Sequence, residues 1–330
     1  MADVLSSPSP SVVSGLRPFS IGELADRCFQ LYRRHFIPLF YFSALIQAFP
    51  FSLSLILAFF GRNVQISDLM THPENLTWFL CRIFLSLVLL TLGEAALTDY
   101  VARLYLGKSV SVRSSLATMS RRSPAVLWST ALKYFLIFLA FLPCVIPIVI
   151  GQSWRGPLSV WMIAGLSLAG FILFMPWLIL AVRYLVMMQA VMLEKVSGLA
   201  ALRRSSEIIR YNLGKNIMQW GETRISLILL VIGVANILVI IASHLPQLVA
   251  TAGEMLRGNL NPDSITLSPV IMTATDLLNF LGSALLAPLY VIGGTLFYYD
   301  VRVRKEAYDL ELLAASLKPQ TTAVPGDLRS

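Results

Sequence analysis

Long apolar stretches alternate with short polar segments along most of the chain. An α-helix rises about 1.5 Å per residue, so roughly 20 consecutive apolar residues are needed to cross the 30 Å hydrocarbon layer of a bilayer. Most of the apolar stretches have this length. The pattern therefore predicts six membrane-spanning helices, at about residues 36–60, 76–98, 125–150, 158–182, 225–243 and 270–299.

A basic amphipathic segment precedes each pair of predicted spans. The segments begin near Ser20, Ser111 and Ser197, and each serine is placed to cap a helix by accepting from a backbone N–H group. Glu23, three residues after Ser20, completes the pattern of a capping box. A repeated unit of one surface helix and two spans is therefore a hypothesis. True duplication and convergence on a shared hairpin plan both stay open, because the copies share little identity.

Positive charge is distributed unequally between the two sets of loops. The positive-inside rule places loops rich in Lys and Arg in the cytoplasm. Of the 26 Lys and Arg residues, 21 lie on one side of the predicted topology: Arg17, Arg27, Arg33, Arg34, Arg103, Lys108, Arg113, Arg121, Arg122, Arg183, Lys195, Arg203, Arg204, Arg210, Lys215, Arg224, Arg302, Arg304, Lys305, Lys318 and Arg329. We therefore predict that both termini and both long loops are cytoplasmic.

The fold prediction is an all-α integral membrane protein. Its six transmembrane helices form a bundle of three hairpins, each preceded by a cytoplasmic amphipathic helix. Residues 17–317 constitute a single membrane domain. Residues 1–16 are predicted to be a disordered polar leader and residues 318–330 a disordered tail, because neither segment has an apolar pattern that could pack.

Composition agrees with a membrane protein. The chain is 56% hydrophobic and 13% charged, with a mean hydropathy of +0.72, whereas soluble domains are about 25% charged. The net charge of +8 does not indicate nucleic acid, because the basic residues lie in loops beside the spans. Attraction to anionic lipids of the inner leaflet accounts for this distribution.

No motif typical of an enzyme, a metal site or a cofactor site is present. The histidines and cysteines are scattered, without the spacing of metal ligands: His35, His72, His244, Cys28, Cys81 and Cys144. A disulfide between the last two cysteines and a pair of free thiols are both compatible with their depth. We therefore predict no catalytic residue, no metal and no cofactor.

Charged residues inside the predicted spans are the candidate intramembrane site. By depth, Arg82 in the second span matches Asp276 in the sixth, and Glu94 in the second span matches Lys133 in the third. An intramembrane charge costs several kcal/mol unless it is paired. The pairs could tie helices together or mark a proton or ion pathway, and Arg82 and Lys133 are also near enough to the surface to snorkel.

The third amphipathic segment is the candidate surface for lipid. Its basic side chains Arg203, Arg204 and Arg210 are predicted to contact lipid head groups of the inner leaflet. The apolar side chains between them could rest among acyl chains, as in interfacial helices. The alternative is that they pack against the cytoplasmic ends of neighbouring spans, and the two arrangements are compatible with each other.

Three stretches resemble one family of bacterial multi-pass proteins. They are RPFSIGELADRCFQLYRRHF at 17–36, AVMLEKVSGLAALRRSSEIIRYN at 190–212 and PLYVIGGTLFYYDVRVRKEAYDLELL at 288–313. The family is named after the membrane domain of glycerophosphoryl diester phosphodiesterase, and the resemblance implies a helical domain in a bacterial plasma (inner) membrane. It carries over no catalytic residue, because hydrolysis in the full-length enzymes belongs to a separate barrel of about 250 residues, which we do not expect here.

These patterns lead to two functional expectations. The first is a non-enzymatic membrane component that contacts anionic lipid head groups or a membrane-protein partner. The alternative is a transporter or permease for a small amphipathic or lipid-derived substrate. The alternative depends on the polar pairs and on prolines such as Pro143 and Pro147, since bent or broken helices often line transport sites.

Overall fold

The computed structural model describes residues 19–59, 73–154, 159–211, 220–257 and 268–307, which are almost entirely helical and contain no strand. The helices are α1 (Ile21–Arg34), α2 (Phe36–Phe59), α3 (Pro73–Tyr105), α4 (Val112–Ser153), α5 (Val160–Arg183), α6 (Met187–Gln189), α7 (Leu199–Ile209), α8 (Gly221–Leu256) and α9 (Pro269–Glu306). A π-helical turn, Ala190–Glu194, follows α6. The predicted leader at 1–16 and tail at 318–330 lie outside the described residues.

Six of these helices, α2, α3, α4, α5, α8 and α9, are long and apolar enough to cross a membrane. This confirms the all-α prediction and the six predicted spans. Four helices are longer than the spans predicted within them: α3 has 33 residues, α4 has 42, α8 has 36 and α9 has 38. At about 1.5 Å per residue these helices exceed a 30 Å hydrocarbon layer, so their ends extend beyond it.

Two of the three predicted serine caps are confirmed. Ser20 and Glu23 form the full capping box of α1, with each side chain bonded to the backbone of the other residue. Ser111 caps α4 by accepting from the backbone of Ser114. The prediction for Ser197 is wrong, because α7 begins after Gly198. That residue has a φ of +60°, which glycine adopts without strain.

The second basic segment is not a separate amphipathic helix. It is the first part of α4, which runs without a break through Pro124. This proline has no N–H group for the carbonyl oxygen of Ser120, and the Ser123 hydroxyl donates to that oxygen instead, at 2.9 Å. A side chain thus satisfies the group that proline leaves unpaired, which allows the helix to continue.

The hydrophobic core is concentrated at one end of the bundle. We call this the basic end: it comprises α1, α7, the π-helical turn, the first turns of α2, α4 and α8, and the last turns of α3, α5 and α9. Leu24, Phe42, Tyr100, Ile225 and Phe297 are buried together there. The segments that carry most of the positive charge therefore meet at the same end.

The spans differ in how much protein surrounds them. In its most apolar window, α9 is 61% buried and lies at the centre of the bundle, whereas no residue in the corresponding window of α5 is buried. The spans pack on each other in the pairs α2 with α3, α4 with α5, and α8 with α9, whereas α5 and α8 are hardly in contact. In addition, α9 packs extensively on α2, and α3 on α4. The six spans are therefore joined into one bundle, in which α4 and α5 form a more exposed arm.

Two glycines allow close contact between neighbouring spans. A Cβ atom added at Gly93 of α3 would lie 2.1 Å from Ile46 of α2, and one at Gly282 of α9 would lie 2.1 Å from Val239 of α8. Real Cβ atoms do not approach so closely, so no larger residue fits either position without movement. Small residues let two helix backbones approach closely. The van der Waals contacts that result stabilise the helix pair in lipid, where no hydrophobic force drives helices together.

Candidate functional site

A cavity of about 560 Å³ lies between α2, α3, α8 and α9. Sites for small molecules typically have volumes of about 300–1,000 Å³. Each helix contributes one face, as shown on α8 by Leu229, Ile232 and Asn236, which follow the spacing of a helix stripe. The cavity is thus formed by four helices from both halves of the chain.

The lining of the cavity is mainly apolar but includes polar groups from all four helices. The polar lining residues are Ser43, Gln47, Glu94, Asn236, Ser283 and Tyr290. Glu94 is the only acid among the lining residues, which include no Lys, Arg or His. An apolar lining with a few convergent polar groups suits an amphipathic ligand, since one part of the ligand can be hydrogen-bonded while the rest is desolvated.

The helices around the cavity do not all pack on one another. Within the described residues, α8 has no packed interface with α3 or α2, although all three line the cavity. By contrast, α9 packs extensively on both α2 and α8. Helix packing is therefore weakest on the side of the cavity where α8 faces α2 and α3.

Glu94 and Lys133, which the sequence pairs by depth, are neighbours in the structure. They are close enough for their charges to interact, but no ion pair joins them within the described ranges. The ammonium group of Lys133 lies 5.7 Å from the ring centroid of Tyr134, and Lys133 does not line the cavity. Glu94 therefore faces the cavity without a direct cationic partner.

Arg82 and Asp276 meet through a hydroxyl group that the sequence reasoning missed. Ser54 of α2 donates to the carboxylate of Asp276 and accepts from Arg82 Nη2 at 3.2 Å. The three residues connect α2, α3 and α9 away from the basic end, next to the stacked rings of Phe51 and Phe280. None of the three polar residues lines the cavity, so the contact fits a role in joining helices.

Among the residues that the structure describes, the most deeply buried ionic group lies at the basic end, and the sequence did not predict it. Asp300 of α9 forms an ion pair with Arg224 of α8 at 2.9 Å, and their side chains are only 0% and 4% exposed. Asp300 also accepts from Arg304 at 3.0 Å and from the backbone N–H of Phe19 at 2.8 Å. Both arginines donate to the Phe19 carbonyl oxygen. This group, the Asp300 cluster, fastens the start of α1 to α8 and α9.

Arg204, a predicted lipid contact, points into a second ionic group. Its guanidinium binds the Glu194 carboxylate through two nitrogens, at 2.7 and 2.8 Å, and also contacts Glu306. Glu194 accepts from the Tyr298 hydroxyl at 2.6 Å, and Glu306 accepts from Arg302 at 2.8 Å. The hydrogen bonds to Glu194 and Glu306 raise the pKa of Arg204. We call these five residues the Arg204 cluster.

Arg203 and Arg210, the other two predicted lipid contacts, are exposed. The Arg203 side chain is 84% exposed and pairs only with Glu207, one turn along α7. Most of the apolar face of α7 is buried in protein, with Leu202, Ile208 and Ile209 all in the core, whereas Leu199 at its start is 67% exposed. Packing against the spans is therefore observed for the three buried residues.

Sequence signals for the two ionic clusters were present but ambiguous. Asp300 and Arg304 are four residues apart, as are Arg302 and Glu306, a spacing that brings side chains together on one helix. Nothing in the sequence indicated their partners on α7, on α8, on the π-helical turn and at Phe19, because these contacts span between 76 and 285 residues of chain.

The cysteines and the potential metal ligands are dispersed among the described residues. All three cysteines are free thiols, and no group of three or more His, Cys, Asp or Glu side chains could hold a metal ion in the part of the chain that the structure covers. Cys28 is buried in α1, and burial raises its pKa to about 12. A thiol with so high a pKa is a poor nucleophile near neutral pH.

Comparison with models of protein families, with curated proteins and with solved structures found no match. The arrangement of side chains is therefore the basis for assigning a function. The six long apolar helices identify the chain as a multi-pass membrane protein.

Proposed function

We propose that this protein binds a small amphipathic or lipid-derived molecule inside the bilayer and has no catalytic activity of its own. The observation that carries the proposal is the cavity between α2, α3, α8 and α9, with its apolar lining and six polar groups. In this proposal the protein resides in a bacterial inner membrane as three hairpins with amphipathic segments, and its basic end and both termini are cytoplasmic. The resemblance to the phosphodiesterase membrane-domain family is part of the proposal.

Transport of the bound molecule across the membrane would extend this binding function. A carrier must open its site to either side, and the helices around this cavity have features that would permit movement. Pro288 lies in α9 beside the lining residues Ala287 and Leu286, and a proline inside a helix weakens the backbone hydrogen bonding around it. In this form a ligand would exchange with lipid on the side where α8 does not pack on α2 or α3.

Filling the cavity tests the proposal. Gly233 lines the cavity and has nothing within 4 Å of an added Cβ, and Gly165 on the exposed arm has equally open surroundings. Gly233→Leu would occupy cavity volume, whereas Gly165→Leu would project away from it. We expect Gly233→Leu to weaken ligand binding by about tenfold or more, because relieving a steric overlap costs about 1–3 kcal/mol, and Gly165→Leu to leave binding unchanged.

The measurement is equilibrium dialysis with purified protein in nanodiscs of digalactosyldiacylglycerol, an uncharged lipid without an ammonium group, with empty nanodiscs as the blank. The probes are radiolabelled octanol, octyltrimethylammonium and octyl sulfate, which share one chain and differ in head group. Saturable binding of at least one probe, lost in Gly233→Leu and kept in Gly165→Leu, supports the proposal. Binding of all probes at the level of empty nanodiscs contradicts it.

A second candidate function is contact between the basic end and anionic lipid head groups or an acidic membrane partner. The observation that favours it is the exposure of Arg203 and Arg210 on α7. Basic residues near a membrane surface each contribute about 1 kcal/mol of attraction to anionic lipid.

The second candidate predicts selective retention of anionic lipid. In nanodiscs that contain both phosphatidylglycerol and phosphatidylcholine, we expect the double variant Arg203→Gln/Arg210→Gln to enrich phosphatidylglycerol about tenfold less than the unaltered protein. Arg257→Gln removes one exposed charge at the opposite end and serves as the control. Lipid mass spectrometry of purified nanodiscs gives the ratio, and equal enrichment in all three proteins would refute this function.

A further inference from the structure

We infer that the ligand of the cavity carries a cationic head group, an amine or a quaternary ammonium, and that Glu94 receives it. The inference rests on the proposed function, because it assumes that the cavity is a binding site. It adds the chemical class of the ligand and names the residue that selects it.

The charge of the lining is the first argument. Glu94 is the one acid and there is no basic side chain among the residues that line the cavity. A carboxylate at this depth is costly unless a cation or hydrogen-bond donors compensate it. Its neighbour Lys133 forms no ion pair with it in the described structure and lies outside the lining. A cationic head group in the cavity would supply the compensation.

The groups around Glu94 provide the second argument. Tyr290 lines the same cavity and is close enough to Glu94 for the two groups to interact electrostatically. An ammonium group is attracted by an aromatic ring as well as by a carboxylate. Gln47, Asn236 and Ser283 line the cavity too, and their oxygen atoms can accept from the N–H groups of an amine. A carboxylate, an aromatic ring and hydrogen-bond acceptors for an ammonium head are therefore present together.

The apolar part of the lining supplies the third argument. Ile46, Leu90 and Leu286 lie in the wall, where a hydrocarbon chain can be desolvated. An anionic head group would meet the Glu94 carboxylate with no basic residue of the lining to offset the repulsion. The structure thus favours cationic over anionic amphipaths of the same chain length.

The test uses the dialysis assay and the three octyl probes. We expect the unaltered protein to bind octyltrimethylammonium at least tenfold more tightly than octanol or octyl sulfate. Glu94→Gln should remove this preference, because it removes the negative charge but keeps the shape of the side chain. A cooperative unfolding transition in sodium dodecyl sulfate micelles shows that the variant is folded. Glu254→Gln neutralises a carboxylate outside the cavity, on α8, and should keep the preference for the cation.

Two results would overturn the inference: equal affinity of the unaltered protein for all three probes, or a cation preference that persists in Glu94→Gln. The comparison of head groups needs no variant, so it tests the inference even if Glu94→Gln fails to fold. In either case octanol binding that is lost in Gly233→Leu would leave the proposed function intact. If no probe binds above the blank, the proposed function itself fails.

An ammonium head group can come from a single-chain amine in water or from an aminophospholipid in the bilayer. Replacing half of the digalactosyldiacylglycerol with phosphatidylethanolamine distinguishes the two sources, because only the second lipid has an ammonium group. Reduced octyltrimethylammonium binding would assign the site to the aminophospholipid, and unchanged binding would assign it to the single-chain amine. Both results support a cationic ligand at Glu94.

Discussion

Replacement of Asp300 with asparagine is expected to lower the free energy of unfolding by about 3–5 kcal/mol, the cost of breaking a buried ion pair by removing one partner. The substitution removes the negative charge but retains the shape of the side chain. Arg224, which is only 4% exposed, would lose its ion-pair partner, and Arg304 would lose its carboxylate as well.

The location of the Asp300 cluster makes this effect large. The Phe19 backbone is held at both its N–H and its carbonyl oxygen by the cluster, and Phe19 is itself buried beside Leu24 in the core of the basic end. Loss of the carboxylate therefore weakens the attachment of α1 to α8 and α9. We expect α1 to become accessible to protease in the variant before the spans do.

Unfolding of the purified protein in mixed micelles with increasing sodium dodecyl sulfate, followed by tryptophan fluorescence, measures the change. Glu207→Gln is the matched control, because its partner Arg203 is 84% exposed and exposed ion pairs contribute about 0–1 kcal/mol. Equal stability of Asp300→Asn and Glu207→Gln would show that the buried cluster does not hold the basic end together.

Arg204→Gln is expected to cost about 1–3 kcal/mol of stability, less than Asp300→Asn because the Arg204 side chain is 20% exposed and solvent screens part of its interaction. In the variant, Arg302 is the one cation of the Arg204 cluster that remains beside the carboxylates of Glu194 and Glu306. Their mutual repulsion would loosen the junction of α7, α9 and the π-helical turn.

Two further variants separate geometry from charge at this position. Arg204→Lys keeps the charge but cannot bind one carboxylate through two nitrogens, so it should restore less than half of the lost stability. Arg203→Gln, one residue away on the exposed side of α7, should change stability by less than about 1 kcal/mol. The same unfolding assay applies, and an Arg203→Gln variant as unstable as Arg204→Gln would contradict the assignment.

Comparison of Arg203 with Arg204 shows where sequence reasoning reached its limit. The two residues are adjacent and of the same type, and both were predicted to contact lipid. Only Arg203 is free to do so, because α7 is rotated so that Leu202 and Ile208 enter the core and Arg204 reaches Glu194. The direction of a helix face depends on its neighbours, which local periodicity cannot identify.

The cavity was beyond sequence reasoning for a related reason. Glu94 was identified as an unusual charge in a span, and its proximity to Lys133 in depth was apparent from the residue count. The groups that share the cavity with it, such as Gln47, Asn236 and Ser283, come from three other helices. A single polar residue in a span carries little signal until the packing shows which others face it.

By itself the sequence determined the six spans, the clustering of basic segments at one end and the caps of α1 and α4. These features follow from local properties: the length of apolar runs, the position of charges along the chain and hydrogen bonds within one turn. The tertiary structure alone decided that Arg204 and Asp300 lie in ionic clusters, that Ser54 joins Arg82 to Asp276, and that Glu94 faces a cavity. Each of these depends on contacts between helices distant in sequence, and their energies are set by burial, which only packing defines.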